Sequence, residues 1–218
     1  MKSRRNLCYI GIFLGGISLG FIALSIGNKV QSACDRPTSI AGQICQGKIP
    51  KQISEDTWAQ IGAIAYEKAA QFMRSNNGVA RRLDEDQKRY LRPHFGDLVD
   101  RVSIVYEAQL MDEWVAASFR INVGHSNAQV YGDRIYLKQP YKPDDLEQII
   151  LLAHELVHVR QYEQFGGLDR FGYHYFREYK LADESYRDNK MEQEAFEFEE
   201  EFARWLMRER WRSRYYWE

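Results

Sequence analysis

The hydrophobic pattern divides the chain into one long uncharged run and a longer region of short, punctuated elements. Leu7 to Gly27 contains no Asp, Glu, Lys or Arg, enough residues at 1.5 Å each to cross a hydrocarbon core of about 30 Å. Residues 34–52, with Pro37, Gly42, Gly47 and Pro50, read as a linker. Trp58, Ile61, Ala65, Ala69 and Phe72 then recur at helical spacing, predicting a helix capped by Ser54 and ended at Asn76-Asn77-Gly78. A charged helix is expected from about Asp84 to Leu91, stopping before Pro93. Strand-like runs follow at Val102 to Tyr106, Val115 to Ile121 and Asp133 to Leu137.

Two further helices carry the strongest signals. Pro143-Asp144-Asp145 marks a start, with Asp144 as N-cap and Glu147 in capping-box position, and Gly166-Gly167 marks the stop. Between them Ile149, Ile150, Leu151, Leu152, Leu156, Val157 and Val159 leave no wholly polar side, which predicts a helix buried in a core. Met191, Ala195, Phe198, Phe202 and Trp205 form the stripe of a second core-facing helix. Arg204 to Tyr216, with five arginines among aromatic residues, reads as an amphipathic helix at the C-terminus. The fold class expected is α+β, mostly helical with a small sheet, in one domain over residues 53–218.

Chemistry enters at His154, Glu155 and His158, an HExxH pattern inside the core helix. Positions i and i+4 share a helix face, so the two imidazoles can grip one zinc ion while Glu155 serves as general base. A catalytic zinc wants a third protein ligand. Metzincins place Gly third and His sixth after the second His; here those positions are Gln161 and Gln164, which excludes that subclass. Asp169, His174, Glu184, Glu192 and Glu194 are the downstream candidates. Glu192 is favoured because it borders the Met191 stripe, one turn before the small Ala195, which lets the two helices approach closely. Most of the glutamates from Glu192 to Glu201 read as a solvated face. Tyr173, His174 and Tyr175 are candidate donors to an oxyanion.

The segments Gly132-Asp133-Arg134-Ile135-Tyr136-Leu137, LLAHELVHVRQYEQFGG at 151–167 and Glu192-Gln193-Glu194-Ala195 together resemble the extracellular contractile injection system core-domain family. Its strand, HELxHxxQ helix and later ExxA helix are similar to those of gluzincin metallopeptidases. The resemblance covers roughly residues 91–203 and implies a zincin-like fold, His154, His158 and Glu192 as zinc ligands, and Glu155 as catalytic base. It also implies that Arg134 to Leu137 is an edge strand pairing with extended peptide substrate. Phe196 stands where many gluzincins have an Asp that orients a ligand histidine.

Topology and charge complete the expectation. Lys2, Arg4 and Arg5 before the uncharged run predict a retained single-pass anchor over residues 1–33, N-terminus cytoplasmic and catalytic domain extracytoplasmic. A cleaved signal peptide is the alternative. Gly11/Gly15 and Gly16/Gly20 form GxxxG pairs that suit a weak homodimer. Cys34 and Cys45 can close a disulfide in an oxidising compartment. Four of the 30 Lys and Arg and none of the 31 Asp and Glu fall in the first 33 residues, so the remainder carries −5 and no nucleic-acid partner is expected. The reading is a membrane-anchored zinc metallopeptidase acting on peptide or protein substrates. The alternative is a non-catalytic, metal-stabilised scaffold of an envelope assembly.

Overall fold

The structure, a computed structural model, describes residues 38, 39, 43, 50–112 and 126–215. Helix α1 (Glu55–Asn76) is capped by Ser54, whose hydroxyl accepts from the Thr57 amide. Helix α2 (Glu85–Phe95) starts with a complete capping box between Asp84 and Gln87. It runs through Pro93 instead of stopping before it. A proline this close to the C-terminus forfeits one helical hydrogen bond, and buried Leu91 and Phe95 hold the last turn against the core. A short helix α3 (Leu98–Arg101) leads into strand β1 (Ser103–Val105).

Strands β2 (Ala128–Tyr131) and β3 (Arg134–Leu137) form a hairpin across the two-residue turn Gly132-Asp133, with Tyr131 opposite Arg134. Gly132 has φ 68°, which glycine adopts without cost. The sheet order is β1-β3-β2, with β1 parallel and β2 antiparallel to β3. Arg134 to Leu137 is therefore the central strand, and the expectation of an edge strand there is corrected: both its sides are already hydrogen-bonded to neighbours. The predicted strand at residues 115–121 lies outside the described residues.

The period of two along the strands separates two cores. Ile104, Val130, Ile135 and Leu137 face a cluster built with α2, helix α4 (Leu146–Phe165) and helix α6 (Lys190–Tyr215). Val105, Tyr131 and Tyr136 face a second cluster built with α1 and helix α5 (Leu168–Leu181). The molecule is thus α+β and mostly helical, with helices over both faces of a sheet that has three strands among the described residues. The cap of α4 is Asp145, which accepts from the Gln148 amide, while Asp144 sits at φ 56° just outside the helix. Gly166 closes α4 in the left-handed conformation, as expected.

The membrane-anchored architecture and the single-pass localisation are corrected. Among the described residues no helix is long and apolar enough to cross a membrane. Even α4, which spans 20 residues, is interrupted by Glu147, Glu155, Arg160 and Glu163. The uncharged run 7–27 with its GxxxG pairs, and the cysteines at 34 and 45, lie outside the described residues.

Helices α1 and α5 pack through glycines. A Cβ on Gly62 would stand 2.1 Å from Cγ of Phe176, a side chain with no solvent exposure, and one on Gly172 would stand 2.7 Å from Cβ of Tyr66. Gly62→Ala should gain about 1 kcal/mol in helix propensity and lose more to overpacking, for a net destabilisation of about 2 kcal/mol. Gly78→Ala meets nothing within 4 Å and should be near neutral. Chemical denaturation of the two variants checks this; equal stabilities would contradict the packing account.

Candidate metal centre

The four residues of interest sit where the two cores meet. On α6, Met191 belongs to one cluster and Ala195 to the other, and Glu192 lies between them. His154, Glu155, His158 and Glu192 are each 0% exposed. Burying four ionisable groups together is costly unless each finds a partner, and the partners are specific.

Glu192 Oε2 lies 3.5 Å from His154 Nε2 and 3.4 Å from His158 Nε2. The two Nε2 atoms are 3.3 Å apart. Ligands held at about 2.0–2.1 Å by a tetrahedral ion stand about 3.3–3.4 Å from one another, so the three atoms form one face of such a tetrahedron. Glu192 Oε2 accepts no hydrogen bond, which an ion would remedy. The residues fit a metal ion on geometry and on donor chemistry, and His154, His158 and Glu192 are its candidate ligands.

Each ligand is held from behind. His154 Nδ1 is 2.9 Å from Glu199 Oε2, and His158 Nδ1 is 2.9 Å from Gln161 Oε1. Gln161 Nε2 donates to the Met191 carbonyl at 3.0 Å and to Glu194 at 2.9 Å, which leaves its Oε1 to accept from the imidazole. Both rings then direct the Nε2 lone pair at the centre when neutral. Tyr175 donates to Glu192 Oε1 at 2.7 Å. Phe196, the departure from the gluzincin pattern, lies edge-on to His154 with ring centroids 5.0 Å apart. Glu199, one turn further along α6, supplies the carboxylate that position lacks.

Electrostatics follow from this packing. Burial pushes the His154 imidazole down, yet the neighbouring Glu192 carboxylate and the hydrogen bond to Glu199 outweigh that and lift it to about 10. His158 is opposed by burial in the same way and is raised on balance by Glu192. Burial favours a neutral Glu192, but the two imidazoles hold its carboxyl down at about 2. Glu155 is lifted to about 7, mainly by burial, and neither of its oxygens has a hydrogen-bond partner.

The remaining expectations separate. Tyr173 donates to the exposed Asp56 at 2.9 Å, and His174 stacks on Phe165 at 4.2 Å, so neither joins the centre. Tyr175 joins it through Glu192, occupied with a ligand and not placed as an oxyanion donor. Glu194 is half exposed and pairs with Arg160. Glu199 and Gln161 were missed as partners. Their signal was the i+3 relation of Gln161 to His158 and the helical phase of Glu199 relative to Glu192.

The arrangement defines an α+β domain with a buried His-His-Glu cluster suited to a metal. Residues 82–166 match the family model of the eCIS core domain, which supports the eCIS core family for this segment. The matched segment takes in the sheet and α4 with His154, Glu155 and His158, and ends before α6, which brings Glu192 and Glu199. No curated protein and no solved structure matches the chain.

Metal binding should be coupled to proton release. The raised pKa of His154 favours its protonated form in the metal-free protein, and ligation needs the neutral ring, so below that pKa affinity should rise about tenfold per pH unit for each proton displaced. Calorimetry in buffers of different ionisation enthalpy reads the release directly; binding independent of buffer and pH would contradict it. Glu199→Ala should weaken metal affinity about 10–100-fold while leaving the stoichiometry at saturation unchanged.

Proposed function

We propose that the chain is a zinc-dependent hydrolase of peptide bonds, of gluzincin type. The observation that carries this reading is Glu155: a fully buried carboxylate next to two ligand histidines, with neither oxygen hydrogen-bonded. A metal held only for stability has no use for it, and an uncompensated buried carboxylate is destabilising. Such costs collect at functional sites. A zinc ion at this position would supply Lewis acidity, drawing the pKa of a coordinated water toward neutral and polarising a carbonyl.

The chain's own residues do the rest. His154, His158 and Glu192 would hold and orient the ion. Glu199 and Gln161 keep each imidazole in the tautomer that presents Nε2, and Tyr175 keeps Glu192 from rotating away. Glu155, adjacent to the ligands and unengaged, accepts the proton of the attacking water and returns it to the leaving amine. The surrounding Phe171, Tyr175 and Phe196 exclude bulk water, which strengthens every charge interaction inside.

One observation favours a second reading, a non-catalytic module stabilised by its metal. All four central residues are fully buried, and the clefts of about 280 and 290 Å³ on the surface are lined by other residues. A metal sealed from solvent in this way would support folding without turnover.

Glu155→Gln separates the two. On the hydrolase reading the variant keeps one metal per chain and its fold, gains or holds thermal stability, and loses peptide cleavage by about 10²–10⁴-fold. Wild type and variant behaving alike in cleavage of a broad peptide library, with equal metal content, would favour the module.

A further inference from the structure

A second concentration of charge lies apart from the metal centre. Arg74 near the end of α1, Arg81 and Arg82 on the segment entering α2, and Arg134 at the start of β3 line one open cleft of about 290 Å³, with Ser103 and Asp133 completing its wall. Four arginines and a single carboxylate thus line the cleft, and Asp133 Oδ1 stands 3.9 Å from Arg74, the outer limit of an ion pair. An excess of one sign of charge along one cleft favours an anion joining it. Nor are they loosely placed. Arg82 donates to the carbonyls of Arg101 and Val102. The backbone of Arg81 is tied to Ile104 by reciprocal hydrogen bonds of 2.8 and 2.7 Å. The Arg134 guanidinium meets the Tyr136 side chain, while its Nε is buried without a hydrogen-bond partner. A guanidinium donor left unpaired in such a setting calls for an acceptor.

We propose that this cleft binds a phosphate-type dianion, free or carried as a monoester. A guanidinium presents parallel N–H donors that match two oxygens of such a group, and several forks can share its three or four oxygens. The net excess of three positive charges exceeds what a single carboxylate ligand would balance. The proposal is independent of the metal centre and of its chemistry.

The full chain is titrated with inorganic phosphate in one arm and glycerol 3-phosphate in the other, at ionic strength held constant with chloride, and binding is read by ³¹P line broadening. Saturable broadening is expected, displaced by sulfate. Arg74→Glu, at an exposed side chain that should not disturb folding, is expected to weaken it by about tenfold or more. Arg134→Gln should act in the same direction with unchanged circular dichroism. Tighter binding in one arm identifies that form of the anion, and either form supports the site. Absence of saturable binding in both arms, or binding unchanged in Arg74→Glu, overturns the proposal.

Discussion

Four ionisable side chains buried at one point constrain the rest of this structure. An ionised group taken out of water costs several kcal/mol even after relaxation, and only close partners offset it. For His154, His158 and Glu192 the partners are one another, then Glu199, Gln161 and Tyr175. They come from different turns and helices, so α4, α5 and α6 must all meet at this point. The sheet makes this possible by separating two cores, between which α4 runs with its ends fixed by Asp145 and Gly166. Ala195, fully buried, keeps the α6 backbone near α4. Glu155 is the member left unanswered, and the functional reading rests on that imbalance.

What could be read from the chain was what depends on local spacing. HExxH declares a shared helix face within five residues, and the Met191 to Trp205 stripe phases Glu192 inward. The elements α1, α4 and α6 were legible because apolar periodicity and caps agree over several turns. The hairpin was not. Ala128–Tyr131 is short, and the edge role of β3 is an implication of the family resemblance that the residues themselves do not carry, although the Gly-Asp turn between two short runs is a usable hairpin signal. Helix α5 was also missed, since Gly172 lowers its propensity, and that glycine is present because α1 approaches too closely for any Cβ. Without that helix, Tyr173, His174 and Tyr175 read as one cluster. At 100° per residue they point to three different environments, and only Tyr175 faces Glu192.

The partners of the histidines were hidden for a different reason. Glu199 stands in a run with Glu197, Glu200 and Glu201, and a solvated face describes most of that run correctly. Which one turns inward depends on how α6 lies against α4, a tertiary fact. At His154 the Phe196 ring packs edge-on against the imidazole, and the carboxylate that holds its Nδ1 comes from Glu199, one turn further along α6. The segment matching the eCIS core domain carries the candidate ligands His154 and His158 together with Glu155; α6, beyond that segment, brings Glu192.

His154, His158 and Glu192 are placed to hold one metal ion together. X-ray absorption at the zinc edge of the zinc-loaded chain tests it most directly, because it reports ligand type and distance at the ion. The account predicts about four nitrogen or oxygen neighbours at about 2.0–2.1 Å, with the multiple-scattering signature of two imidazoles and no sulfur. Sulfur at about 2.3 Å, or an oxygen-only shell without imidazole scattering, would place the ion elsewhere and contradict it.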